Sequence, residues 1–92
     1  MEEREFNLLY LKYKNSILKY IYKRTNDIEI SEDLTHDVFA KFIEATRKGI
    51  YIENGFLKTY LFTLSHNLTL NYLNSKHYKN SVRTFHKNIH LF

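Results

Sequence analysis

The sequence contains no cysteine and no proline, and its only glycines are Gly49 and Gly55. Without cysteine there is no disulfide and no thiolate metal site. Without proline, and with so little glycine, the chain can run long helices joined by few connections. Neither a nucleotide-binding glycine loop nor a nucleophile elbow is present, so no enzyme and no cofactor are expected. The N-terminus reads MEEREF, acidic rather than basic and without a small-residue cleavage site; this is no signal peptide, and a cytoplasmic protein is expected. The stretch FLKTYLFTLSHNLTLNYL, Phe56 to Leu73, carries no acid and is mostly apolar. A membrane span needs about 20 apolar residues with few polar interruptions. Lys58, His66, Asn67 and Asn71 interrupt this one, so no membrane insertion is expected. The length of 92 residues limits the chain to one domain with a modest core.

Charge is present and strongly segregated. The net charge of +4 conceals −2 over residues 1–5, +5 over residues 6–26, −5 over residues 27–46 and +6 over residues 47–92. Such a layout fits two kinds of surface for two kinds of partner. It also fits plain solubility with internal salt bridges.

Apolar spacing predicts three helices. Over residues 2–24, Phe6, Leu9, Tyr10, Tyr13, Ile17, Tyr20 and Ile21 share one face. Leu8, Leu11, Leu18 and Tyr22 form a second stripe, which predicts packing on two neighbours. Thr25, Asn26 and Asp27 make a stop and a turn. A second helix is expected from Ser31 as N-cap, with Glu32 and Asp33 in its first turn. Its core stripe is Leu34, Val38, Phe42 and Ala45, and it ends at Lys48-Gly49 with glycine as a left-handed cap. Residues 48–56 form a loop. The third helix spans about residues 57–76, with Leu57, Tyr60, Leu61, Leu64, Leu68 and Tyr72 on the core face. Lys58, Phe62, His66, Thr69 and Leu73 fall on its back. In the tail, Tyr78, Val82, Phe85, Ile89 and Phe92 keep helical spacing, as a fourth helix or the start of a linker. The fold class is all-α, a compact domain of three to four helices.

Three segments in register, FNLLYLKYKNSILKYIYKRT, SEDLTHDVFAKFIEA and LKTYLFTLSHNLTLNYL, resemble region 2 of bacterial sigma factors of the compact extracytoplasmic-function group. The resemblance covers about residues 6–76. The chain departs from the family pattern at His36, where glutamine is usual, and at His66, where arginine precedes the asparagine. The closing basic run is thinned to Asn74, Ser75, Lys76, His77, Tyr78 and Lys79, which points to weak DNA binding by the isolated domain. Residues 1–80 correspond to region 2. Residues 81–92 are a tail or the start of a linker to a helix-turn-helix region 4.

The resemblance implies binding to core RNA polymerase and direction of it to promoters. Asp33, His36, Asp37, Ala40 and Glu44 would meet the clamp helices of the β′ subunit; by themselves they read rather as a solvated acidic face, and it is the resemblance that reverses this. The non-template strand of the promoter −10 element would be held with a base turned out of the stack, the cost being returned by stacking and edge hydrogen bonds. Residues of the right chemistry in the loop and at the start of the third helix are Lys48, Tyr51, Asn54 and Lys58. Further along are Phe62, His66, Asn67 and Asn71, then Lys76 and Lys79. Asn67 also reads as an amide bonded inside the bundle.

A reading from another class is a helical interaction module that binds a protein such as an anti-sigma factor without opening DNA. Promoter-dependent transcription with core polymerase separates the two. A metal site is not expected. His86 and His90 stand at i, i+4 without an obvious third ligand and read as surface histidines. The sequon Asn67-Leu68-Thr69 is treated as chance.

Overall fold

The computed structural model describes residues 1–75. Three helices make it up: α1 (Glu3–Thr25), α2 (Ile28–Arg47) and α3 (Leu57–Leu73), each packed on the other two. Among the described residues there is no strand, and no helix is long and apolar enough to cross a membrane. The third helix ends at Leu73 with Asn74 as its C-cap, short of the expected Lys76. Lys76 itself and the helical pattern of residues 77–92 lie outside the described residues, as do Lys79, His86 and His90.

Helix α1 matches its ends to its dipole, with Glu3 and Glu5 in the first turn and Lys23 and Arg24 in the last. It stops at Asn26, whose left-handed conformation (φ 56°) turns the backbone N–H onto the Tyr22 carbonyl at 2.9 Å. Asp27 then caps α2 by accepting from the Ile30 N–H at 3.1 Å. This corrects the expectation that Ser31 is the cap. Ser31 is fully buried inside the first turn, where its hydroxyl donates to the Asp27 carbonyl at 2.7 Å. Thr25 Oγ1 lies 2.7 Å from that hydroxyl and accepts the Asp27 N–H at 3.2 Å. The corner is closed by a ring of polar groups, which is why a serine can stand there without water.

The core consists of Leu9, Ile17 and Ile21 of α1, Leu34, Val38, Phe39 and Phe42 of α2, and Leu61 of α3. Burying one such side chain stabilises the fold by about 1.5–3 kcal/mol. The Phe39 ring meets Tyr10 edge-on at 4.9 Å between centroids, joining α1 to α2. Tyr20 meets Phe62 in the same way at 5.4 Å, joining α1 to α3.

Two expectations about faces are corrected. Leu8, Leu11 and Tyr22 are exposed and pack on no second neighbour; only Leu18 of that stripe is half-buried. The deepest line of α3 is Leu61, Ser65 and Thr69, not the leucine stripe beside it, and Thr69 faces the core rather than the back. Small side chains on that line let the helices approach closely. Ser65 satisfies its hydroxyl on the Leu61 carbonyl at 2.8 Å, but Thr69 Oγ1 is buried without a partner. An unpaired buried hydroxyl of this kind costs about 1–3 kcal/mol.

Candidate functional site

Two exposed surfaces of opposite chemistry are set back from the core. The first is the outer side of α2. Leu34, Val38, Phe42 and Ala45 turn inward, so Asp33, His36, Asp37, Ala40 and Glu44 all stand exposed on the other side. Near its N-terminal end this ridge borders a groove of about 290 Å³ shared with α1, lined by Tyr10, Lys14 and Leu18 opposite Glu32, Asp33 and His36. At the far end Glu44 pairs with Lys48 at 2.7 Å, and that cation holds its carboxyl below the ordinary value. Both partners are more than half exposed, so solvent screens the pair and it adds little to stability.

The second surface begins where α2 ends. Gly49 (φ 73°) takes the left-handed position expected of it. Its N–H reaches the Thr46 carbonyl at 3.2 Å, and the Ile50 N–H reaches that of Ala45 at 2.9 Å, a Schellman termination. The Tyr51 N–H adds a second bond to the Ala45 carbonyl at 3.1 Å. The Tyr51 ring packs on Tyr60 at 4.6 Å and Phe42 at 5.2 Å between centroids. Its hydroxyl donates to Glu53 at 2.6 Å. Burial, then this bond to a carboxylate, pushes the Tyr51 hydroxyl up to about 12. Glu53 also accepts the Gly55 N–H at 2.8 Å, and both bonds hold its carboxyl below the usual range. Asn54 Oδ1 accepts the Phe56 N–H at 3.1 Å. The connection is thus internally bonded, yet Ile50, Ile52 and Phe56 are 65–74% exposed.

Two adjoining grooves follow. One, of about 290 Å³, is lined by Ile50, Tyr51, Ile52, Asn54, Phe56, Thr59, Tyr60 and Thr63. The next, of about 450 Å³, is lined by Lys58, Thr59, Phe62, Thr63 and His66. Thr59 and Thr63 belong to both, so the two form one continuous surface. His66 Nδ1 lies 3.3 Å from the Tyr20 hydroxyl, and the Arg24 guanidinium lies over the Tyr20 ring at 3.6 Å. Tyr20 and Arg24 therefore reach this surface from α1. Sequence spacing placed Tyr20 only on the core stripe, because a contact between residues 46 apart leaves no local pattern.

The structure thus brings Tyr51, Asn54, Lys58, Phe62 and His66 onto one surface. Lys48 is engaged by Glu44 beside it. Asn67 lies one turn beyond Thr63 and is exposed, which removes the reading of its amide as an internal bundle bond. Asn71 is exposed one turn further on. Lys76 and Lys79 lie outside the described residues. Among the described residues no group of three or more His, Asp or Glu side chains could hold a metal.

Residues 9–78 match sigma-70 region 2, and the chain belongs to that family. It is 32% identical over 66 residues to RNA polymerase sigma factor YlaC of Bacillus subtilis (strain 168), an alignment that covers 70% of this chain and 36% of that protein. The chain therefore spans about a third of the length of the curated relative it matches. No solved structure gives a significant match.

Proposed function

We propose that this domain serves a sigma factor in transcription initiation, docking on core RNA polymerase with one face and holding melted promoter DNA with the other. The observation that carries the reading is the divergence of two chemically opposite surfaces from α2. Asp33, His36, Asp37, Ala40 and Glu44 form the docking ridge for the β′ clamp helices. The loop and the outer side of α3 take the non-template strand of the −10 element. Both partners place the protein in the cytoplasm.

Within the second surface the roles divide by chemistry. Tyr51 is committed to Phe42, Tyr60 and Glu53, so it shapes the loop from beneath. Phe56 is the exposed aromatic ring available for stacking, at about 1–3 kcal/mol per base. Lys58 and His66 border the second groove, where a phosphate needs donors. If the Tyr20 hydroxyl donates to Nδ1 of neutral His66, the other ring nitrogen carries the proton and is a donor. Asn67, further along the same exposed side, offers both a donor and an acceptor to a base edge.

The test is charge reversal of Asp33 and Asp37 to lysine. The double variant should keep its helical circular dichroism and lose about a hundredfold in affinity for a β′ clamp-helix fragment, since like charges would then be juxtaposed. Unchanged capture of that fragment by a folded variant would remove the docking assignment. A wild-type chain that captures neither polymerase nor promoter strand would instead be an interaction module for another protein, an anti-sigma factor being the first to try.

A further inference from the structure

We infer that the outer side of α1 is a docking seam for an amphipathic helix with acidic flanks, contributed by another protein. The seam is separate from both the α2 ridge and the face made by the loop and α3.

The outer side of α1 carries the pattern of a helix-pairing seam. Leu8, Leu11, Asn15, Leu18 and Tyr22 follow one another at intervals of three, four, three and four. That is the spacing of the inward positions of paired helices, where one asparagine among leucines fixes register. Within the bundle the seam has no partner. Leu8 and Leu11 are 64% and 65% exposed, Tyr22 is 44% exposed, and Asn15 is exposed between them. Leu18 is half-buried where the seam meets the groove shared with α2. Helix α1 joins the core through Leu9, Ile17 and Ile21 on its other side, so the fold does not call for apolar residues here. Exposed apolar side chains grouped in this way mark a contact surface.

Charge decides what covers it. Residues 6–26 hold five bases and no acid. Lys12 and Lys19 directly follow Leu11 and Leu18 on one flank of the seam, and Lys14 stands on the other. Among the described residues none of these three pairs with an acid. A second copy of α1 fits badly. In a parallel pair Lys14 of one copy would face Lys19 of the other, and in an antiparallel pair Lys12 would lie beside Lys19. The α2 ridge of another copy has the acids, but no exposed large apolar side chain between Ile28 and Ile50 to fill the seam. Residues 76–92 carry four bases and no acid, the same sign as the flanks. A lipid surface would have to take up the Asn15 amide at the centre of the stripe, which costs free energy without a hydrogen-bond partner. A helix with apolar residues at the same spacing, bordered by glutamate or aspartate, meets both the stripe and its flanks.

Fluorescence anisotropy with the full 92-residue chain tests this. The probes are two labelled synthetic helices of about three heptads, with leucine at the inward positions and asparagine at the central one; one has glutamate on its flanks and the other lysine. The acidic helix should bind about tenfold tighter than the basic one. Lys12→Glu with Lys19→Glu should invert that preference, which an apolar surface without charge selection would not do. Leu8→Ser with Leu11→Ser should weaken the acidic helix about tenfold or more while circular dichroism stays unchanged, since both leucines are exposed. Neither double variant should alter capture of the β′ fragment, whose ridge is on α2. Equal binding of the two helices, or a preference unmoved by the lysine exchange, overturns the seam. So does self-association of the wild-type chain that the leucine substitutions abolish, which would give the stripe to a second copy. Retention on phosphatidylglycerol vesicles without binding of either helix would give it to lipid and overturn the seam as well. Failure of the wild-type chain to capture the β′ fragment would remove the polymerase reading and leave this one standing.

Discussion

The two connections between helices do the same mechanical job in different ways. Residues 26–27 turn the chain from α1 into α2 with two residues, one left-handed asparagine and one capping aspartate, whose polar groups bond to Tyr22, Thr25 and Ile30 on either side. Residues 48–56 turn the chain from α2 into α3 with nine, and hold three large apolar side chains out to solvent while bonding the backbone beneath them. A turn needs only the first solution. The exposed Ile50, Ile52 and Phe56 are not needed to reverse the chain, and they are what the proposed strand contact would use.

The widest break in that contrast is Phe42→Ala. Phe42 is fully buried and its ring supports both Tyr51 and Tyr60, so it ties the long connection to the core. The variant should lose about 3–5 kcal/mol in thermal or chemical denaturation. It should also loosen the loop, seen as lost amide protection at Tyr51 and Gly55, while the 26–27 corner stays protected in the molecules that remain folded.

Substitutions in the two turns themselves sharpen the comparison at smaller magnitude. At Gly49 an added Cβ meets no atom within 4 Å, so the strain of Gly49→Ala comes from its positive φ alone. The expected loss is about 1–2 kcal/mol. Asp27→Ala removes the cap of α2 and should cost about 1 kcal/mol. The two variants should differ in function more than in stability. Only Gly49→Ala displaces the loop, so only it should weaken strand binding at a temperature where both are folded.

The smallest effects are in pH. The Glu53 carboxyl lies below its ordinary 4.5 in the folded protein. The stability it lends the loop is therefore complete above 4.5 and is lost as pH falls through the lower folded value. The Tyr51 hydroxyl has the opposite sense. Raised from 10.0 to about 12, it supports the folded loop fully below 10.0 and ceases to as pH rises toward 12. An ultraviolet titration should show one of the eight tyrosines ionising last, and Glu53→Gln should bring that transition down by removing the adjacent carboxylate. A Tyr51 transition unmoved by the substitution would disconnect the pair.

Legibility in the sequence followed the range of the interactions. The three helices, the inward stripe of α2 and the glycine termination at Gly49 are written in neighbouring residues and read directly. The start of α2 was misplaced because Asp27 and Ser31 are both good caps four residues apart. What decides between them is the Thr25 hydroxyl, whose partners depend on how the corner closes. The outer leucines of α1 were overread, since apolar residues around a whole helix do not say which side finds a neighbour. Ser65 and Thr69 were underread, because small hydroxyl side chains go to the closest helix contact for their size, against their polarity. On the candidate surface, residue types and segments were legible. The engagement of Tyr51 from below, the exposure of Phe56 and the arrival of Tyr20 and Arg24 from α1 were not, because each depends on packing.

The two hydrogen bonds that the Ile50 and Tyr51 N–H groups donate to the Ala45 carbonyl make α2 a phase-setting shaft. Its acidic ridge and the first residues of the loop are indexed to the same helical rotation, with no slack between Ala40 and Ile50. Each residue of an α-helix advances that rotation by about 100°. A single-residue insertion between Glu44 and Ala45 would thus keep the five ridge residues in register with one another while turning the loop relative to them. If polymerase and promoter strand are gripped together, the angle between the two grips is stored in the register of this one helix.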